Sequence, residues 1–392
     1  MNDVYILSAV RTAIGDFGGA LRDIAPCALA SAVTTEAIRR AGLPAESLEQ
    51  CVFGHVLPTE VRDLYLSRVA ALEAGMAETS RALNINRLCG SGLQAVISAA
   101  QMIQTGDIAT AVAGGAESMS RAGYLLGSHR WGKRMGDDSM VDLMTGVLTD
   151  PFGHGHMGVT AETIAREWGI DRETQDRFAL ESHRRAARAI AEGRFESQIL
   201  PIETHPRKGT RFDRDEHVRL EACEADFSGL RPAFARDGSV TAGNASGLND
   251  GAAALVLADG ATLNRRGLTP MARIVAYGHA GVDPGLMGMG PVAAVEQALA
   301  RAGLGVDDLA VVESNEAFAA QACAVSRALK LPAEIVNPNG GAVALGHPIG
   351  ATGAILVTKA LHELQRTGGR YGLITLCIGG GQGAALIVEN LG

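Results

Sequence analysis

Two cysteines and a histidine, each set among glycines or at the end of an apolar run, are the residues best placed to do covalent chemistry. Cys89 lies in Asn86-Arg87-Leu88-Cys89-Gly90-Ser91-Gly92, where an apolar strand gives way to helical spacing at Leu93, Val96, Ile97, Ala100 and Ile103, stopped by Gly106-Asp107. A thiol at the start of a helix faces unpaired N–H groups, which favour the thiolate and make it a candidate nucleophile. A buried structural cysteine at a tight turn is the competing reading, because free cysteines are among the most buried side chains. His347 sits in Gly346-His347-Pro348-Ile349-Gly350, a rigid turn ahead of another helix. Beside a thiol it would be a natural general base; alone it reads as an ordinary core or surface histidine. Cys377 ends a buried strand that runs into Gly379-Gly380-Gly381, whose N–H groups could stabilise an oxyanion, although a structural thiol is equally admissible. Asn315, in Asn315-Glu316-Ala317-Phe318, could simply cap the next helix.

Other polar groups carry less. Gly379-Gly380-Gly381-Gln382-Gly383 is not a dinucleotide fingerprint, because a strand follows where a helix should. His154 and His156 lack a third ligand at recognisable spacing, so no metal is expected. The run His129, Arg130, Lys133 and Arg134 around Trp131 reads as a solvated or subunit-contact loop. His205, Arg207, Lys208, Arg211, Arg214 and Arg219 form a second basic cluster, either a phosphate site or a solvated loop.

The elements that must position these groups occur twice. A strand over Val4–Ala9, a helix over Pro26–Arg40 ended by Gly42, a strand over Cys51–Leu57, a helix over Val61–Ala74, the Cys89 junction and a strand over Ala109–Ala113 make the first set. The second set has a strand Leu309–Glu313, a helix Glu316–Leu329, an Asn/Gly turn, a helix from Gly350 to Leu364 and a strand Leu373–Ile378. Its closing strand, Gly383-Ala384-Ala385-Leu386-Ile387-Val388, reads almost like Gly251-Ala252-Ala253-Ala254-Leu255-Val256-Leu257. Nearly the same length of chain separates His55 from Asn315 as Cys89 from His347, which is the signature of a duplicated unit and predicts two sheets. Only the first copy is interrupted, from Met119 to Asp250, by a charged segment with a helix over Asp171–Ala191. The expected division is therefore 1–118 with 250–268, an inserted domain at 119–249, and a second half at 269–392.

Composition narrows the class. A chain of 392 residues with 47% hydrophobic but only 4% aromatic residues and 49 glycines suits Ala/Val/Leu/Ile α/β elements that approach closely. The net charge of −8 argues against nucleic acid or an anionic membrane as the main partner. Six cysteines without C-x-x-C spacing fit a reducing compartment, and the short opening run Val4–Leu7 is no signal peptide, so a cytoplasmic protein is expected.

Taken together, the four blocks around Cys89, Asn315, His347 and Cys377 resemble the signature blocks of thiolases, in family order. The likeness extends over the chain, including Ala242-Gly243-Asn244-Ala245-Ser246-Gly247. Cys377-Ile378-Gly379-Gly380-Gly381-Gln382-Gly383 and His156-Met157-Gly158-Val159-Thr160-Ala161-Glu162 look most like bacterial biosynthetic β-ketothiolases, some of broad chain length. The resemblance implies a five-layer αβαβα fold with an inserted loop domain, and a homotetramer built as a dimer of dimers. It implies a ping-pong Claisen condensation, or its reverse, on acetyl-CoA and acyl-CoA or 3-ketoacyl-CoA, with no permanently bound cofactor. Cys89 would carry the acyl group, His347 would take its proton, and Cys377 would deprotonate the incoming acetyl-CoA. The N–H groups of Cys89 and Gly379 would form one oxyanion hole, and His347 with a water on Asn315 the other. Coenzyme A would lie against the insertion, with Arg219 near the nucleotide, Ser246 on the pantetheine, and Leu148, His156, Met157, Met287 and Phe318 along the channel. His55 departs from the family, which has an amide there; a structural role is expected for it. A degradative 3-ketoacyl-CoA thiolase would use the same residues. A ketoacyl synthase would lack the second thiol, and a non-catalytic CoA-binding protein would have no reason to keep both thiols with His347.

Overall fold

The computed structural model describes residues 2–205 and 209–392; Arg207 and Lys208 of the second basic cluster lie outside the described residues. The strands that carry the site are β1 (Val4–Thr12), β2 (Gln50–Gly54), β3 (Arg81–Ile85), β4 (Thr110–Ser118), β5 (Asn249–Asp259), β6 (Ala272–Gly281), β7 (Leu309–Ser314), β8 (Tyr371–Ile378) and β9 (Gln382–Asn390). Their helices are α1 (Pro26–Ala41), α2 (Leu66–Glu73), α3 (Ser91–Thr105), α4 (Met157–Glu167), α5 (Arg172–Ala191), α6 (Gly290–Ala302), α7 (Ala319–Leu329) and α8 (Thr352–Thr367).

The first half orders its strands β1-β5-β4-β2-β3, and the second β6-β9-β8-β7. In both halves the first two pairings are antiparallel and the next is parallel. A parallel bridge between Val312 and Val336 stands in the second half where β3 stands in the first. The duplicated sequence therefore folds as a duplicated sheet. The two copies also meet edge to edge, through Tyr5 opposite Arg273 and Ile6 opposite Ala272, which joins them into one hydrogen-bonded path.

Helices cover both faces. α1 and α2 pack on the outside of the first copy and α6 on the outside of the second, while α3 and α8 lie between the copies and against each other. Strands sandwiched this way need apolar side chains on both faces, and β4 and β5 are buried along almost their whole length. Each fully buried Val, Leu or Ile there contributes about 1.5–3 kcal/mol. The central helices meet at two glycines: a Cβ on Gly353 would stand 2.1 Å from the Leu93 nitrogen, and one on Gly92 2.9 Å from the Ala354 nitrogen. This close approach draws the first turns of α3 and α8 together.

Between β4 and β5 the chain leaves the sheet. Two-stranded ribbons (Thr149–Asp150 with Gly155–His156, for example) and helices α4 and α5 make up this segment. It is moored to β1 by a buried ion pair, Arg11 to Asp215 at 2.7 Å, with Gln198 on the guanidinium and the Phe195 ring 5.0 Å beneath. Among the described residues no helix is long and apolar enough to cross a membrane.

Several elements differ from expectation. The helix expected over 61–74 is a 3-10 turn, Val61–Tyr65, capped by Glu60 and Asp63, followed by α2. The apolar strand expected just before Cys89 is β3, which is only partly apolar because it is an edge, exposed at Arg81 and Leu83. The segment before β7 also contains β6 and α6, whose small residues (Ala272, Ala276, Gly278, Ala294, Ala298) gave no strong periodic signal.

Candidate active site

At the carboxyl ends of β4 and β8 a cavity of about 360 Å³ opens between the two halves and the insertion. Cys89, His347, Cys377 and Gly379 line it, with Leu148, His156, Met157, Ser246, Met287 and Phe318. Groups far apart in the chain thus share one chamber.

Cys89 is lifted into the chamber by a sharp turn. Leu88 takes a left-handed conformation, φ 48°, which costs a branched residue about 1–2 kcal/mol. Ser91 holds the turn, its hydroxyl accepting from the Arg87 N–H at 2.8 Å and donating to the Leu88 carbonyl at 2.6 Å. α3 begins at Ser91, so Cys89 does lie at a helix start. Burial nevertheless pushes its thiol up to about 11, against the pull of hydrogen bonds from the Gly379 and Cys89 N–H groups. Burial thus works against the thiolate that the helix start favours, and the balance lies with the protonated sulfur at neutral pH.

His347 can take that proton. Its backbone N–H donates to Asn249 Oδ1 at 2.9 Å, which fixes the turn. The Thr352 hydroxyl lies 2.6 Å from the His347 Nδ1 and 2.9 Å from the Pro348 carbonyl, an arrangement that suits the tautomer with the proton on Nδ1, the hydroxyl accepting from it and donating to the carbonyl. Nε2 is left with a free lone pair and no partner among the described residues. Burial draws the imidazole down to about 4, which keeps it neutral.

Cys377 ends β8, is 1% exposed, and packs with Met157, Ala161, Met287 and Phe318. Burial first, and then the neighbouring Cys89, raise its thiol far above the usual range. After it the chain reverses at Gly380 and Gly381, with φ 81° and 85°. A Cβ on Gly381 would stand 2.3 Å from the Val282 carbonyl oxygen, so the turn that aims the Gly379 N–H requires glycine.

Asn315 does not cap a helix. α7 starts only at Ala319, and Phe318 holds the cap position without a side-chain bond. Glu316, expected inside that helix, is instead buried and accepts from Ser182, Asn337 and the Val343 N–H. Asn315 is fully buried just beyond β7, does not line the chamber, and has neither amide atom bonded among the described residues. His55, its counterpart after β2, is also outside the chamber wall. Its Nδ1 lies 2.9 Å from the Ala116 carbonyl and 3.2 Å from Glu117. Burial opposes its charging, but Glu117 and that carbonyl prevail and its pKa is raised.

Arg219 is exposed and apart from the chamber wall, its guanidinium 5.5 Å over the Phe227 ring. Phe234 was not foreseen. It stacks on His156 with ring centres 4.8 Å apart and meets Phe318 edge-on at 6.0 Å, closing one wall. Its only signal was a rare aromatic in a proline-containing loop without periodicity.

Known proteins share this architecture. Residues 4–261 match the thiolase N-terminal domain and residues 268–390 the thiolase C-terminal domain. Beta-ketothiolase BktB of Cupriavidus necator is 58% identical over 391 residues, 99% of each chain. The acetyl-CoA acetyltransferase of Escherichia coli is 47% identical over 395 residues, covering all of both. Among solved structures, the Bacillus anthracis acetyl-CoA acetyltransferase is 46% identical with a TM-score of 0.97, covering 100% of this chain and 99% of that one. Human mitochondrial 3-ketoacyl-CoA thiolase in complex with CoA is 39% identical, also at 0.97, covering 100% and 98%. The chain belongs to the thiolase family and is an acyltransferase that makes or breaks a carbon–carbon bond beside a thioester, by Claisen condensation in one direction and thiolysis in the other.

Proposed function

We propose that the enzyme condenses acetyl-CoA with an acyl-CoA, and runs the reverse cleavage of 3-ketoacyl-CoA, by a ping-pong mechanism through an acyl group on Cys89. The carrying observation is the shared chamber of Cys89, His347, Cys377 and Gly379. As Cys89 attacks the thioester carbonyl, its proton passes to His347 Nε2, and the carbonyl oxygen develops charge against the Cys89 and Gly379 N–H groups. The C–S bond to CoA breaks, and the departing thiolate takes the Cys377 proton. The acyl group is then on Cys89, and Cys377 is the thiolate. Because burial makes Cys377 so weak an acid, its thiolate is a strong base, as removal of a proton from the α-carbon of acetyl-CoA demands. The enolate oxygen is held by imidazolium His347 and a water on Asn315. Its carbon attacks the acyl group, Cys89 leaves as thiolate and recovers its proton from His347, and every group returns to its starting state.

Ser246, His156 and the apolar side chains Leu148, Met157, Met287 and Phe318 would hold the pantetheine and acyl chain, and Arg219 the nucleotide beyond the mouth. No resident metal or redox group takes part in these steps. Exposed Trp131, Met135 and Met140 on the insertion, and Val61, Leu64 and Tyr65 near the β3 edge, offer apolar surface for the subunit contacts of a dimer of dimers. We read the enzyme as a biosynthetic β-ketothiolase of the cytoplasm, in line with relatives named beta-ketothiolase and acetyl-CoA acetyltransferase. Rapid-quench mass spectrometry with acetyl-CoA tests the mechanism: an acyl adduct on Cys89 is expected, and its absence sinks the reading. Thiolysis rates over short and medium 3-ketoacyl-CoA chains then fix substrate range, and light scattering fixes the oligomer.

A further inference from the structure

The two N–H groups assigned to the first oxyanion come from different halves of the chain, one on the turn before α3 and the other on the turn before β9. Among the described residues no backbone hydrogen bond joins the two turns. Side chains span the gap: Ile378 packs against Gly90 and Leu88 lies beside Gly379, but these contacts are apolar and carry no direction, and the hydrogen bonds come from Arg87. Arg87, two residues before Cys89, donates from Nε at 3.3 Å and Nη2 at 3.0 Å to Gln382 Oε1, the residue that opens β9 directly after Gly381. Its Nη1 reaches Gln94 Oε1 at 2.6 Å, on α3, and His279 Nδ1 at 2.8 Å, on β6. All three acceptors are neutral. Burial holds His279 down to about 4, so its Nδ1 accepts from the guanidinium and does not compete as a cation.

A half-buried guanidinium that meets only neutral acceptors gives up hydration for little Coulombic return. What it gains is geometry, because the planar fork engages three elements at once. Gln94 is itself braced by the Ser98 hydroxyl at 3.0 Å, and β6 continues into the Val282 N–H that bonds the Gly381 carbonyl at 2.7 Å. Both turns are therefore tied to one cation.

We propose that Arg87 is a positioning residue for acyl transfer: through Gln382 and His279 it sets the Gly379 N–H against Cys89, and so assembles an oxyanion hole from two separate halves. This inference rests on the roles given above to Cys89 and Gly379.

The test uses the full-length enzyme with Arg87→Met, Arg87→Lys, Gln382→Leu and the double variant Arg87→Met/Gln382→Leu. Single-turnover acylation of Cys89 by acetyl-CoA is followed by rapid-quench mass spectrometry, and alkylation of Cys89 by iodoacetamide is followed against pH. Arg87→Met is expected to slow acylation about 10- to 100-fold with the KM for acetyl-CoA nearly unchanged, since misplacing one donor costs the transition state and not the ground state. Its alkylation midpoint moves to higher pH, because the Gly379 N–H no longer steadies the thiolate. Glu117, Cys377 and His347, the other titratable groups facing the sulfur, are unaltered in every variant. Arg87→Lys recovers part of the rate. Gln382→Leu reproduces part of the loss, and the double variant is no slower than Arg87→Met. A folded Arg87→Met with acylation within about twofold of wild type and an unmoved alkylation midpoint overturns the proposal, as do fully additive losses. If Arg87→Met fails to fold, Gln382→Leu decides by the same two readouts. Wild-type enzyme that forms no acyl-Cys89 defeats the catalytic reading itself, whereas normal wild-type acylation with unaffected variants defeats this inference alone.

Discussion

The first and second halves of the molecule share strand order, pairing directions and a central helix, yet they bring opposite chemistry to matched positions. Where α3 starts, the first half offers a thiol; where α8 starts, the second offers an imidazole. After β2 stands His55, its Nδ1 engaged by the Ala116 carbonyl and Glu117 and only its Nε2 unbonded among the described residues; after β7 stands Asn315, buried with neither amide atom bonded among them. Glu117 goes further and accepts the N–H groups of Val56, Leu57 and Gly350, which fastens the first half to the turn that carries His347. The difference teaches a division of labour at matched positions: His55 is tied to the sheet through Nδ1 in one copy, whereas Asn315 keeps its whole amide unbonded among the described residues in the other, as the proposed water and enolate site requires. A buried unsatisfied group costs about 1–3 kcal/mol, so an amide with both atoms open is a place for a bound water or substrate to complete the structure.

Substitutions can break this contrast. Cys89→Ala removes the acceptor, and thiolysis should fall about 10⁴-fold or more, with no acyl-enzyme by mass spectrometry. Cys377→Ala should still become acylated while condensation drops about 10²- to 10⁴-fold, the range for loss of a general base. Next comes Asn315→Ala, expected to lower kcat about 10- to 100-fold while the thermal melt hardly moves, because its amide bonds nothing among the described residues. His55→Gln should do the reverse: it loosens the Glu117 clamp, costs about 1–3 kcal/mol in denaturant unfolding, and leaves kcat within a few-fold. Equal effects on melt and rate at both positions would erase the distinction.

The pH dependence sharpens it. With the Cys89 thiol raised to about 11 and His347 lowered to about 4, the resting pair is neutral thiol and neutral imidazole. Cys89 alkylation in free enzyme should therefore climb with pH up to about 11, as thiolate forms only there. Acylation should stay level through neutrality and fall only as His347 protonates near 4, since a protonated imidazole cannot receive the thiol proton. A plateau of alkylation reached already at neutral pH would indicate a preformed thiolate–imidazolium pair instead.

Much of this was legible in the chain because it is local. Glycine stops such as Gly42 and Gly106, helical spacing after Cys89, the repeated Gly-Ala-Ala-Leu strands and the glycine-flanked histidine depend on neighbouring residues, and they survive as helices, strands and turns in place. Other features depend on residues distant in sequence. The helix start favours a thiolate at Cys89, whereas burial by elements distant in sequence works against it. Asn315 reads locally as a cap, and only the late start of α7 frees it. Phe234 and the β3 edge carry no periodicity, because one packs against a partner a long way off in sequence and the other is open on one side. Residue types and their order settled which atoms could react; the close crossing of α3 and α8 at Gly92 and Gly353 settled that they meet, since backbone approach is a property of two helices together and of neither one's sequence.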